Sequence, residues 1–218
     1  MVRRAAGYLP SMRRKSLILV GLALSPAAAL AAPSPSSVSI AAEPMVVTYG
    51  SEVELSGMVT PAKAVTVHIS SQACMKPQAR QEPLSVTSTA QGAWTASVLP
   101  TSRTAYLAKA KSADSPALIV QVRPAVRLAK IGRHRFRARI SAAQSFGGKI
   151  ALFQKRNSIG WKTVKSVVLT ELGSANGTVV SGKTFHSGVR AGRTVRVLFT
   201  QHQAGDCYLE GTSGLLRS

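Results

Sequence analysis

Arg135-Phe136-Arg137-Ala138-Arg139-Ile140 is the stretch that decides the fold class. Cationic and apolar residues alternate strictly. A β-strand, whose side chains leave to opposite faces at period two, separates the two sets; a helix would mix them. Phe136, Ala138 and Ile140 then face a core, and Arg135, Arg137 and Arg139 face solvent. Arg133 extends the row if the strand begins that early. A register slip of one residue would bury three guanidinium groups, each costing several kcal/mol without a partner.

The same grammar runs outward in both directions. Val53 and Leu55 alternate with Glu52 and Glu54; Val65, Val67 and Ile69 with Thr66, His68 and Ser70; Trp94, Ala96 and Val98 with Thr95 and Ser97. Residues 117–122, 149–155, 161–169 and 194–199 are further strand candidates, and both tryptophans are expected in cores. Turn chemistry separates the runs, as at Tyr49-Gly50-Ser51, Thr60-Pro61, Gln91-Gly92 and Pro100-Thr101-Ser102. No stretch of 12 or more residues sustains a 3.6 period. Many short strands at this spacing predict an all-β chain of antiparallel sandwiches.

Pro124 interrupts the pattern, which then restarts. Residues 53–57 can be laid over 137–141, 63–69 over 149–153, and 104–108 over 194–198, at an offset of about 85–90 residues, the size of a repeated sandwich unit. The expected organisation is a leader at 1–31, a Pro/Ser linker at 32–37, one sandwich at 38–123 and a second, strongly basic one at 125–218.

Several stretches carry a family resemblance: Val47-Thr48-Tyr49-Gly50 before residues 53–57, the strand ending near Cys74, Gly92-Ala93-Trp94, Thr104-Ala105-Tyr106, and residues 120–124. In the second half they are residues 149–154, Trp161 and 208–213. Together these resemble the secreted tandem Ig-like proteins of high-GC bacteria, notably actinobacteria. The resemblance covers most of the chain after the leader and rests on fold markers. It implies two Ig-like or fibronectin-like sandwiches outside the cell, serving as spacers, adhesion units or accessory domains. The disulfide around a tryptophan within one sandwich is absent, because each half has one Cys and one Trp.

The leader reads as an export signal. Arg3, Arg4, Arg13, Arg14 and Lys15 precede the apolar run 17–24, and small residues follow at 27–32. Cleavage is expected between Ala31 and Ala32, and Met12 is an alternative start. Residues 17–32 are too short and too broken by proline to span about 30 Å of hydrocarbon. In an oxidising compartment Cys74 and Cys207, the two cysteines of the chain, form an interdomain bridge, remain buried thiols, or pair between molecules.

Motifs for chemistry are weak. Residues 177–184 satisfy G-x-x-x-x-G-K-[ST], but no helix can follow, since Gly188 and Gly192 come soon after. A phosphate-binding loop needs that helix, so the stretch reads as a hairpin and no nucleotide is expected. His68, His134, His186 and His202 are scattered without metal-ligand spacing. Gly211-Thr212-Ser213-Gly214 misses a nucleophile elbow, and Cys207 with His202 makes no base–orienter arrangement. No catalytic, metal or cofactor residues are assigned, and an enzyme is not expected. A pocket joining Glu171 or Glu210 to a histidine would argue otherwise.

Charge is the informative feature. The chain of 218 residues has 28 Lys and Arg against 8 Asp and Glu, a formal charge of +20. Beyond Pro124 lie sixteen of the cations and three of the acids. Arg133, Arg135, Arg137 and Arg139, spaced about 6.5–7 Å apart on a strand, would repel one another unless anions or solvent screen them. The expected function is a secreted, non-enzymatic structural or binding module at the cell envelope. Its expected partner is another extracellular protein or an anionic polymer: teichoic acid, lipopolysaccharide or extracellular DNA.

Overall fold

The computed structural model describes residues 37–75 and 82–218. The expected leader and nearly all of the expected linker lie outside the described residues; Ser37 already pairs in a strand. The described residues belong to one compact unit.

Ten strands precede Pro124: β1 (Ser37–Val38), β2 (Ala41–Glu43), β3 (Val46–Thr48), β4 (Val53–Thr60), β5 (Thr66–Ala73), β6 (Leu84–Thr87), β7 (Ala93–Val98), β8 (Thr104–Ala110), β9 (Ala113–Asp114) and β10 (Leu118–Arg123). In sheet I, β4 pairs with β1, β2 and β7. Sheet II runs β3-β10-β8-β5-β6, with β9 on β8. The β3–β10 pair is parallel; the other pairings described are antiparallel.

Nine strands follow Pro124: β11 (Ala125–Gly132), β12 (Arg135–Ala142), β13 (Ile150–Arg156), β14 (Trp161–Val168), β15 (Thr170–Ala175), β16 (Thr178–His186), β17 (Thr194–Phe199), β18 (Gly211–Thr212) and β19 (Leu216–Arg217). Sheet III runs β11-β12-β16-β15. Sheet IV runs β14-β13-β17-β18, with β19 on β17. The one helix described, α1 (Gln201–Ala204), is a single turn. The chain is therefore an all-β, multi-sheet protein of the sandwich kind. Among the described residues no strand ladder joins the segments before and after Pro124. The stretches matched in sequence fall on β4 and β12, β5 and β13, and β8 and β17. These strands hold equivalent places in the two strand orders.

Alternation sets which faces are buried. On β4, Val53, Leu55 and Val59 are inside. Gly57 takes the remaining inward place opposite Trp94 on β7, because a β-carbon there would collide with the Trp94 ring and the Ser39 carbonyl. On β12, Phe136, Ala138, Ile140 and Ala142 are buried. Phe136 meets Phe153 of β13 at 5.0 Å between ring centroids, and Phe185 of β16 meets Phe153 at 5.1 Å, so aromatics weld sheet III to sheet IV. Trp94 is a core residue as expected. Trp161 is not: it begins the edge strand β14, half-exposed, with the Arg196 guanidinium 4.1 Å from its ring centroid.

No linker separates β10 from β11. Pro124 is buried, and residues 207–211 cross over the junction. The Arg103 N–H donates to the Cys207 carbonyl at 2.9 Å, and the Leu209 N–H to that of Val122 at 2.9 Å. The buried Tyr208 hydroxyl donates to the Thr101 carbonyl at 2.7 Å and accepts from the Ala143 N–H at 3.1 Å. Cys74 and Cys207 are joined by a disulfide, with Cα atoms 5.5 Å apart. Of the three states open from the sequence, the intrachain bridge is the one observed.

Candidate polyanion-binding face

The outer face of sheet III gathers the basic residues. β12 is the second strand of that sheet, with β11 on one side and β16 on the other. Because its apolar set is buried against sheet IV, Arg135, Arg137 and Arg139 leave on the opposite face. Arg135 and Arg139 are exposed and Arg137 is half-buried. Arg133 does not extend the row. It sits in the β11–β12 turn, which His134 closes in the left-handed region with φ 56°. The tight turn reverses the chain two residues before the strand starts, so the row has three members.

The register adds a fourth cation that alternation on β12 alone does not reveal. Arg127 of β11, exposed, lies directly opposite Arg139. Like charges facing each other across a pair are destabilising, by about 0.2–1 kcal/mol. No acid relieves them: the ion pair found among the described residues is Lys109–Asp114 at 3.2 Å, before Pro124. Glu171, on the edge strand β15, lies opposite Ser181 rather than in the register row of the arginines. On the other flank of β12, Gly182, Thr184 and His186 stand opposite Arg139, Arg137 and Arg135. Leu172 and the aliphatic stem of Arg139 lie over Gly182, where a side chain would collide with the Ala138 carbonyl and the Leu172 methyl and crowd the Arg139 stem. Beside them is a shallow groove of about 400 Å³ that Arg139 helps to line. The face can thus offer guanidinium forks in a row, over small and hydroxyl-bearing neighbours.

The other residues singled out from sequence fall elsewhere. Residues 177–184 form the β15–β16 turn and β16, with Asn176 and Gly177 at φ 49° and 74°. That is hairpin geometry. The His68 Nδ1 lies 2.9 Å from the Ser85 hydroxyl, the His134 Nδ1 donates to the Val189 carbonyl at 3.1 Å, and His202 is on α1. Among the described residues no three His, Cys, Asp or Glu side chains group as metal ligands. The buried Ser213 hydroxyl accepts from the Val197 N–H and donates to the Gly214 carbonyl, which is a structural role. Cys207 is in the disulfide, and Glu171 and Glu210 are exposed.

No family model matches the chain, and no curated protein matches it.

Proposed function

We propose that this chain is an exported, non-enzymatic binding module that holds phosphate-rich polymers on the outer face of sheet III. The observation that carries the reading is the open cluster Arg127, Arg135, Arg137 and Arg139, in which two arginines face each other without an acidic partner. A bound polyanion would relieve that repulsion by replacing the counterions now screening it. The setting is the cell envelope. The Pro33–Ser218 region is read as two tandem Ig-like sandwiches of the secreted actinobacterial type, freed by cleavage between Ala31 and Ala32. The equivalent strand orders support duplication, and a disulfide suits an oxidising compartment. The test is retention on immobilised heparin or teichoic acid. The parent should bind at 50 mM salt, and the R135S/R137S/R139S variant should elute earlier. A variant retained as strongly as the parent would sink the reading.

A further inference from the structure

The row of cations continues beyond sheet III. Arg139 faces Arg127 on β11. Four residues back along the extended chain, across Pro124, lies Arg123 at the end of β10. Equal strand parity and a separation of about 13 Å let the two side chains reach toward one point. Both line a cleft of about 490 Å³ where the segments before and after Pro124 meet. Its other walls carry hydroxyl-bearing residues: Thr48 at the end of β3, Tyr49 and Ser51 from the turn after it, and Thr212 from β18. No acidic residue lines it, and neither arginine makes an ion pair among the described residues.

The walls are held from both sides. The Tyr49 N–H donates to the Arg123 carbonyl at 2.7 Å, and the Ser51 N–H to the Thr48 carbonyl at 2.9 Å. The Tyr49 hydroxyl lies 3.0 Å from that of Thr178, tying the turn to β16. Gly211 packs so closely on Pro124 and Val126 that a side chain there would collide with both, which fixes the wall that carries Thr212.

We propose that this cleft is a subsite for a phosphate group. Two guanidinium forks with the hydroxyls of Thr48, Ser51 and Thr212 suit a tetrahedral anion of high charge and many acceptor atoms, while the Tyr49 hydroxyl is spent on the Gly177 carbonyl. A carboxylate would use fewer of the donors, and an apolar ligand none. The proposal deepens the polymer reading, on which it rests for its ligand class. The phosphate is either a free ion or one unit of a polymer whose other units lie on Arg139 and Arg137.

Amide NMR of the oxidised full chain, titrated with inorganic phosphate and separately with linear polyphosphate, tests it. Phosphate alone should shift Gly50, Ser51 and Thr212 along one saturating curve. R123S/R127S should weaken that binding by about tenfold or more. R123K/R127K, which keeps charge but loses the forks, should fall between. R156S/R190S, which removes equal charge elsewhere, should bind as the parent does. Equal phosphate affinity in the parent and R123S/R127S would overturn the subsite, as would shifts that do not saturate. A saturable phosphate shift in a parent that ignores polyphosphate would leave the subsite standing as a free-ion site and remove the polymer reading. Polyphosphate binding that is untouched by R123S/R127S would do the reverse.

Discussion

Replacing Arg135, Arg137 and Arg139 with serine should change how binding depends on salt more than it changes the protein. With Arg127 they make four cations on one open face. For a single-stranded polyanion the logarithmic salt slope is about −0.7 per phosphate neutralised, so four contacts give about −2.8. A fourfold rise in salt, from 50 to 200 mM, should then weaken binding of the parent about 50-fold. The triple variant keeps Arg127 alone, so its slope falls to about −0.7 and the same salt change costs it about threefold. Stability should not drop. These positions face solvent, and removing Arg139 relieves its repulsion with Arg127 by about 0.2–1 kcal/mol at low salt. The assay is fluorescence anisotropy of a labelled oligothymidylate at five salt concentrations, with circular dichroism melts on the same samples. A slope change smaller than one would refute the idea that these arginines touch phosphates. A variant that melts well below the parent would show that the face is packed rather than open.

The disulfide spans a sequence separation of 133 residues, and closing a loop of that length in the unfolded chain corresponds to about 5 kcal/mol in the chain-entropy model. C74S/C207S should therefore lose about 2–5 kcal/mol in guanidinium unfolding; a loss under about 1 kcal/mol would mean the two halves unfold separately. Tyr208→Phe strands the Ala143 N–H and the Thr101 carbonyl and should cost about 1–3 kcal/mol, read by chemical denaturation. Burial pushes the phenols of Tyr106 and Tyr208 up to about 12 from an ordinary 10.0. Because the folded state holds these protons more tightly, their contribution is complete below pH 10 and is lost as pH rises through 12; absorbance at 295 nm should show two tyrosines ionising late. Gly57→Ala drives a methyl into the Trp94 ring and the Ser39 carbonyl; it should cost about 1–3 kcal/mol and shift tryptophan emission.

Strand identity was legible where burial is one-sided. Thr194–Phe199 and the apolar set of β12 could be read directly, because each residue has one face to choose. Edges were harder. β14 is exposed along most of its length, so composition could not say that Trp161 lies beneath Arg196 rather than in the core. Whether Arg133 joins the row could not be read, because a turn with a left-handed histidine looks, in sequence, like more strand. Arg127 could have been found from Val126 and Leu128, which alternate with it. Arg123 could not. Its place in one cleft with Arg127 depends on Pro124 being buried in a continuous crossing, whereas a proline between two patterns reads as a break. The disulfide is non-local in the same sense, since nothing within either half announces the 5.5 Å approach of the two Cα atoms.

The bridge has a mechanical consequence. If Ser37 and Ser218 were pulled apart, tension would pass from Cys74 to Cys207 through two sulfurs and leave everything between them unloaded. The shielded stretch, a sequence separation of 133, corresponds to about 450 Å of extended chain that force cannot draw out while the bridge is intact. Only the strands before Cys74 and the short tail after Cys207 could peel away. The arginine face of β12 and most of the aromatic core lie inside the shunt, whereas the cleft keeps Arg123 and Arg127 inside it but takes its other walls, Tyr49, Ser51 and Thr212, from the loaded segments. An oxidised molecule under load would keep its basic surface in shape, and a reduced one would be free to unravel through it.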